Sequence, residues 1–452
     1  MKLEIHNIAR VSEANIDLSG IAVVTGGNAT GKSTLCRAVM TLCSVSSRLA
    51  MLLQMERVKS IFEVLQESVR KYGGELLQTR DVFPNAKSNS WISWLSKSWW
   101  GSSENLVSWL QTAKKNPSEP PELMAFPNDF EMSDKFSDAI KDARPKIVGI
   151  LDRPDLEYVR YVCEKAFRRA FRSQMQPLHR DGVISSVSLK ADAKTLIEIC
   201  FRGSEVVDFT EMGRTVFPSV VYFEPVHLVD FIGQKDFVGR GLTDRYTAGE
   251  LCSCRTVSKA PPKNLTLEAE SETKEVLAIL SGIIKVIHGH LKDDDRQIRF
   301  SETIADAEYL IDVKNMASGM KTMAAIVRAF ENGSIKRGTN ERRGSLLIVD
   351  EPESNLHPEW QVKFAQFLVL VHKHLGVHLL LNTHSPYFLQ AIKVFSSEDG
   401  VQDCNFYEMV PEYEGRDENE LIPLPIANHS ELVNDEIKRV FQAMARPFHE
   451  LV

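Results

Sequence analysis

The feature that most constrains this chain is the stretch GGNATGKST at 26–34, set between the apolar run IAVVT and the segment LCRAVMTLC. Gly26 to Ser33 reads G-x-x-x-x-G-K-S. Glycines at that spacing let successive backbone N–H groups curl round phosphate oxygens, while a lysine at the position of Lys32 reaches the β and γ oxygens and a hydroxyl at Ser33 ligates Mg²⁺. The flanks agree with this. A short β-branched run suits a buried strand, and Leu35, Ala38, Val39 and Leu42 recur at helical spacing. The expectation is a strand, a phosphate loop, and a helix whose N-terminus faces the anion. Such a cradle points to an α/β fold and a nucleotide, and leaves open what the nucleotide is for.

Three later segments read as parts of the same site. SLLIVDEPESNLHPEW (345–360) opens on a continuous apolar run, the pattern of a parallel strand covered on both faces, and the run ends in two carboxylates. Asp350 is placed to bind Mg²⁺ directly or through water, and Glu351 to polarise an attacking water as general base. HLLLNTHSPYFLQAI (378–392) repeats the pattern, with Asn382, Thr383 and His384 at the carboxyl end of a strand, where parallel sheets bind ligands. His384 thus falls where a γ-phosphate would lie. In NMASGMKTMAAIVRAF (315–330), Ser318 and Gly319 open a helix with Met323, Ile326, Val327 and Phe330 on its apolar side. Read alone this is an ordinary capped helix; read with the other segments it is a second helix N-terminus offering free N–H groups.

The order of these pieces (phosphate loop, Ser-Gly helix start, DEPES, LHP, then strand and histidine) resembles the ABC-type ATPases, specifically the soluble SMC, RecF and OLD (overcoming lysogenization defect) branch. The resemblance implies an α/β P-loop NTPase head: a mixed sheet flanked by helices, carrying a large helical insertion and using ATP and Mg²⁺. It implies that Gly26, Gly27, Asn28, Ala29, Thr30, Gly31, Lys32, Ser33 and Thr34 cradle ATP, with Asn28 matching an asparagine common in the family's loop. It further implies that Ser318 and Gly319 contact ATP held by the opposite subunit, that Glu351 is the hydrolytic base, that His384 senses the γ-phosphate, and that Ser33 and Asp350 hold the metal. Lys32, Glu351 and His384 form the implied catalytic set, in a homodimer or higher oligomer with ATP at the interface. Departures from the family pattern are Ala29, where many relatives have glycine, and Met320, which replaces the second glycine or acidic residue of commoner signatures. His357 stands where ABC transporters usually have aspartate, so coupling to a transporter is not expected. A glutamine-loop candidate is Gln234 in DFIGQKD, after the expected strand SVVYFEP. The resemblance covers residues 1–45, 219–225 and 276–395.

Between Lys32 and Asp350 the chain is too short for long SMC arms, and it has neither sustained heptads nor a CxxC hook. The expected organisation is an N-terminal part of the head at 1–45, a helical insertion at 46–182, the remainder of the head at 183–395, and a C-terminal tail of strand and helix at 396–452. Within the insertion, residues 48–77 and 156–175 carry apolar side chains at helical spacing. KKNPSEPPELMAFPNDFE (114–131) is a proline-rich joint, the segment 186–210 turns to β patterning, and RTVSKAPPKNLTLEAESE (255–272) is a polar connection. Five of the six tryptophans fall between 91 and 109, and they either pack within the insertion or face a partner. Lys165, Arg168, Arg169 and Arg172 recur at helical spacing, as a salt-bridged face or as a grip on nucleic-acid phosphates that reads no sequence.

Composition narrows the classes further. With 43% hydrophobic and 25% charged residues, and no apolar run approaching the ~20 residues of a membrane span, the chain is expected to be cytoplasmic and to make no membrane contact. Its start interleaves charges with apolar residues, unlike a signal peptide. Seven scattered cysteines without CxxC pairs read as reduced thiols, with the close pair Cys252 and Cys254 open to a redox role that nothing else in the sequence supports. A net charge of -7 argues against a chain coated in nucleic acid, though a local basic groove and a direct DNA contact stay open. The residues after His384 are expected to form a strand and a helix only and not a TOPRIM-type nuclease, and RDENE (416–420) reads as a solvated acidic loop. A stand-alone head with ASGMK and DEPESNLHPEWQ resembles the ATPase subunits of bacterial anti-phage systems such as Septu or PARIS. That resemblance implies an ATP-hydrolysing scaffold or sensor that controls a separate nuclease subunit. The other implied class is a RecF-like repair clamp whose ATP state controls DNA binding.

Overall fold

The computed structural model describes residues 1–73, 142–177, 182–211, 217–224, 278–412 and 427–449, apart from isolated positions within these ranges. The tryptophan-rich segment, Gln234, Cys252, Cys254, the proline-rich joint, the 255–272 connection and RDENE lie outside the described residues. The chain divides into two units: residues 1–47 together with 163–452, and residues 48–162.

The first unit is organised by an 11-stranded mixed sheet. Its parallel half comprises β3 (Ile21–Gly26), β7 (Val220–Phe223), β11 (Leu346–Asp350), β12 (His378–Asn382) and β13 (Cys404–Glu412). They lie in the order β13-β3-β12-β11-β7 and are mutually parallel. Every residue of β7 and β11 is buried. Both faces of these strands are covered, which is why the sequence segments IAVVT, LLIVD and HLLLN are apolar runs without alternation. The other half is antiparallel: β1 (Lys2–Ile8) pairs with β2 (Val11–Asp17) and with β4 (Ile184–Ala191), followed by β5 (Lys194–Arg202) and β6 (Glu205–Glu211). Here burial alternates, as along β2, because one face meets solvent.

Residues 396–452 depart from the expected strand and helix. They supply two strands, β13 and β14 (Ala427–Leu432), followed by a helix at Ile437–His449. β13 lies beside β3 in parallel, from Cys404 opposite Ile21 to Met409 opposite Gly26, and β14 pairs with both β13 and β2. The pairing partners come from the opposite end of the chain, so no local pattern announces them.

Helix α1 (Lys32–Gly73) begins at the phosphate loop, and Leu35, Cys36, Ala38, Val39, Leu42 and Cys43 are buried as their spacing requires. Helix α2 (Asp155–Ala170) contains the boundary between the units. Its second half belongs with the sheet, whereas the sequence pattern carries the insertion on to residue 182. The reason is packing: Cys163, Ala166 and Phe167 are buried, and the Phe167 ring lies 4.8 Å from Phe201 of β5. Within the second unit, Arg57 pairs with Asp155 and stacks over Tyr158, while Lys71 bonds Asp142 at 2.9 Å.

A separate antiparallel sheet of β8 (Gly289–Asp294), β9 (Gln297–Ile304) and β10 (Ala307–Asp312) leads into helix α3 (Ser318–Glu331). Met323, Ile326 and Val327 of α3 are wholly buried in one cluster with β11, β12 and helix α4 (Pro358–Leu375). At about 1.5–3 kcal/mol for each fully buried aliphatic side chain, this face anchors the helix firmly. Helix α5 (Pro386–Glu398) follows β12 and is capped by Ser385, whose Oγ accepts from the Phe388 N–H at 3.2 Å. Among the described residues no helix is long and apolar enough to cross a membrane.

Candidate nucleotide site

The site is assembled at the carboxyl ends of β3, β12 and β11, three adjacent strands of the parallel half. The loop after β3 takes left-handed or related backbone at Gly26 (φ 139°), Ala29 (φ 60°) and Gly31 (φ 97°). A Cβ at Gly31 would meet Val11 Cγ2 at 2.7 Å, and one at Gly26 would meet the Met409 carbonyl at 2.8 Å, so both positions need glycine. Ala29 holds its left-handed backbone at a cost of about 1–2 kcal/mol, which glycine would avoid. Local bonds offset part of that: Thr30 Oγ1 donates to the Gly27 carbonyl at 2.9 Å, and the Arg10 guanidinium reaches the Ala29 carbonyl at 3.5 Å.

Lys32 is 5% exposed, and its Nζ donates to the carbonyls of Gly26 at 3.0 Å and Gly27 at 2.7 Å. Burial pulls its pKa down to about 8, against the opposing pull of Asp350, Glu351 and Glu353. The lysine therefore sits in a field made by the strand-end carboxylates, and a polyanion in the loop would raise its pKa again.

Asp350 ends β11 as a buried carboxylate. Its Oδ1 accepts from Asn382 Nδ2 at 3.1 Å and its Oδ2 from the Tyr222 hydroxyl at 3.1 Å. Asn382 Nδ2 also reaches Cys36 Sγ at 3.0 Å. Burial, then the nearby Asp350, pushes both the Tyr222 phenol and the Cys36 thiol well above their ordinary pKa, so both stay protonated. Glu224, just past β7, pairs with Arg37 of α1 at 3.2 Å.

Glu351 adopts φ 51°, a left-handed conformation that costs a non-glycine residue on the order of 1–3 kcal/mol and clusters at functional sites. It is held there by its N–H on the Asn382 carbonyl at 2.9 Å and by Ser354, whose Oγ donates to Glu351 Oε2 at 3.0 Å. His384 lies on the adjacent strand end. Burial and the positive charge of Lys32 lower its pKa, opposed by Glu351, Asp350 and the Gly26 backbone. Neutral imidazole at pH 7 is the consequence.

Lys32, Asp350, Glu351 and His384 are thus brought together: the two carboxylates act on both Lys32 and His384, and Lys32 acts on His384. Ser318 and Gly319 are not part of this group: among the described residues, neither is hydrogen-bonded to 26–33. Gly319 rests instead on the turn after Glu351, where an added Cβ would lie 2.4 Å from the Asn355 carbonyl oxygen and 2.6 Å from Leu356 Cδ2. His357, the unusual residue of LHP, N-caps α4 by accepting from the Glu359 N–H at 3.4 Å, as an aspartate would. The basic run is a salt-bridged face at Arg168, which pairs with Glu164 at 3.6 Å and donates to the Ser204 carbonyl. Arg172 lies beyond the end of α2.

Sequence reasoning missed Tyr222, Glu224, Glu353 and Gln361. Tyr222 looks like any apolar strand residue, and Glu353 like a filler within DEPES. Their partners are supplied by elements far away along the chain.

Fold and site together define a P-loop NTPase head of the ABC type, with a mixed α/β sheet flanked by helices. Residues 259–390 match the family described as "AAA domain, putative AbiEii toxin, Type IV TA system", a span that holds the signature, β11 and His384 but not the phosphate loop. Over 119 residues the chain is 29% identical to "Septu protein PtuA" of Bacillus thuringiensis, covering 22% of this chain and 28% of that relative's length. Similar solved structures include the SmcHead bound to the C-winged helix domain of ScpA (9% identity, 97% of this chain and 98% of that one, TM-score 0.41). The SMC head domain from Thermotoga maritima is another (9% identity, 96% and 98%, TM-score 0.35).

Proposed function

We propose that the chain binds and hydrolyses ATP at the interface of two copies of itself, as the scaffold or sensor subunit of a bacterial anti-phage complex that controls a separate nuclease. The observation that carries the ATPase reading is the convergence of Lys32, Asp350, Glu351 and His384 at three neighbouring strand ends above the phosphate loop. ATP lies along residues 26–34, with the loop N–H groups and the α1 N-terminus on its phosphates. The donor set suits magnesium: Asp350 is a buried carboxylate and Ser33 a hydroxyl at the helix start, both hard oxygen ligands. Ser33 and Asp350 would hold the ion, which supplies charge neutralisation on the β and γ oxygens. Glu351 takes a proton from the attacking water, Lys32 stabilises the charge developing on the γ-phosphoryl group, and neutral His384 donates to it.

The signature enters from the other copy. Gly319 packs on the Asn355–Leu356 turn and not on the phosphate loop's backbone, which is compatible with a contact made in trans that couples dimerisation to the presence of the γ-phosphate. The defence role rests on the partial likeness to the Septu relative. A RecF-like clamp draws no support from the basic run, since Arg168 is already paired.

The test is Glu351→Gln in the full chain. The variant retains ATP, accumulates as an ATP-dependent oligomer in size-exclusion chromatography with light scattering, and loses hydrolysis by a hundredfold or more. Hydrolysis at the parental rate refutes the assignment of the base. Recovery of a nuclease subunit with the natively expressed complex tests the defence role, and a chain recovered only with recombination proteins overturns it.

A further inference from the structure

Two ties flank His384, and neither belongs to the catalytic set. On one side, Glu353 Oε1 accepts a hydrogen bond from the His384 N–H at 2.5 Å. On the other, Gln361 of α4 bridges two segments: its Nε2 donates to the Leu356 carbonyl at 3.0 Å, and its Oε1 accepts from Ser385 Oγ at 2.5 Å. Thr383 Oγ1 closes the loop on itself by accepting from the Ser385 N–H at 3.0 Å. The loop 383–385 is therefore fastened to the turn 353–356 both before and after the histidine ring. Gln361 and Ser385 are buried and Thr383 wholly so, so water competes little for the Gln361–Ser385 and Thr383–Ser385 bonds.

We propose that Glu353 is a positioning residue for His384, with Gln361 as the second tie, and that together they hold the imidazole over the phosphate loop beside Gly26 and Lys32. The inference rests on the ATPase reading above. Without Glu353 the His384 N–H loses its acceptor, and the loop gains conformations in which the ring leaves the γ-phosphate position. A donor misplaced by about 1 Å costs on the order of a hundredfold in rate while the ground-state grip on the nucleotide persists. The acceptor needed is a carbonyl-type oxygen at that position and not a negative charge. Glutamine supplies one; alanine does not.

The experiment compares the parent with Glu353→Ala, Glu353→Gln, Gln361→Met and Glu351→Gln in the full chain. It measures kcat and KM for Mg-ATP, equilibrium binding of a fluorescent ATP analogue, and melting temperature. Glu353→Ala should lose at least tenfold in kcat, with KM and analogue affinity within threefold of the parent. Glu353→Gln should recover to within threefold in kcat. Gln361→Met, which keeps the side-chain volume, should show the same split between kcat and binding and serves if Glu353→Ala does not fold. The proposal is overturned if Glu353→Ala or Gln361→Met turns over at the parental rate, if Glu353→Gln is as slow as the alanine variant, or if analogue binding falls in step with kcat. A parent no faster than Glu351→Gln refutes the ATPase reading itself, and the positioning role falls with it.

Discussion

Gly319→Ala sets two known effects against each other at the signature. In an ordinary helix, replacing glycine by alanine stabilises by up to about 1 kcal/mol, and less in the first turn, where Gly319 lies. Here the new methyl would stand 2.4 Å from the Asn355 carbonyl oxygen and 2.6 Å from Leu356 Cδ2, with the Asn355 carbonyl carbon at 3.1 Å. Two of these three atoms are backbone, so the clash cannot be relieved by a side chain swinging aside. The helix cannot retreat either, because Met323, Ile326 and Val327 are wholly buried behind it. Overpacking of this kind costs about 1–3 kcal/mol, so the net expectation is a loss of about 1–2 kcal/mol and a melting point lower by about 2–4 °C. The displaced turn also carries Glu353, so hydrolysis should fall although residues 26–34 are untouched. The assay is a thermal melt by circular dichroism in parallel with phosphate release. A melting temperature equal to or above that of the parent means Gly319 has free space around it, and refutes the account of how the signature is seated.

Two further predictions concern pH. Lys32 titrates near 8 in the folded chain against 10.5 unfolded, so between those values only the unfolded chain holds the proton and stability rises with pH. Lys32→Met should abolish that rise, whose ceiling is about 1.4 kcal/mol for each pH unit separating the two values, and should be the more stable protein at pH 7 by urea denaturation. His372 of α4 behaves in the opposite sense: burial lowers its pKa, but bonds to Asp403 at 3.0 Å and to the Val377 carbonyl at 2.9 Å win and raise it above 6.5. Its contribution is complete below pH 6.5 and is lost as pH rises through the raised value, while Asp403, whose pKa is lowered, keeps its share until the solution is more acidic than 3.8. His372→Leu should therefore narrow the stability gap to the parent between pH 6 and pH 9, and a gap that widens with pH refutes the pairing.

How much of the molecule is legible in its sequence follows from which interactions are local. The phosphate loop is readable because its geometry is written in consecutive residues: glycines where φ is positive, a lysine one step inside the helix, and an apolar strand before it. Ala29 stands out in the sequence as a departure, but only the structure attaches its cost, a left-handed backbone at φ 60°. The strand ends of the candidate site are readable for the same reason, since buried parallel strands announce themselves as apolar runs. β13 and β14 are not, because their neighbours are β3 and β2 from the far end of the chain. The hidden part of the site has the same origin. DEPESNLHP reads as a motif of residue types, yet its physical role is that of a junction. Asp350 is bonded by Tyr222 and Asn382 from both flanking strands, Glu351 is held in left-handed backbone by Asn382, Glu353 fastens His384, the Asn355–Leu356 turn seats Gly319, and His357 caps α4. One short segment thus touches in turn the residues proposed to hold the metal, act as base, sense the phosphate and form the signature. On the proposed reading, a γ-phosphate at His384 and a signature docked at Gly319 would act on the same few backbone atoms, and a shift at one would be felt at the other.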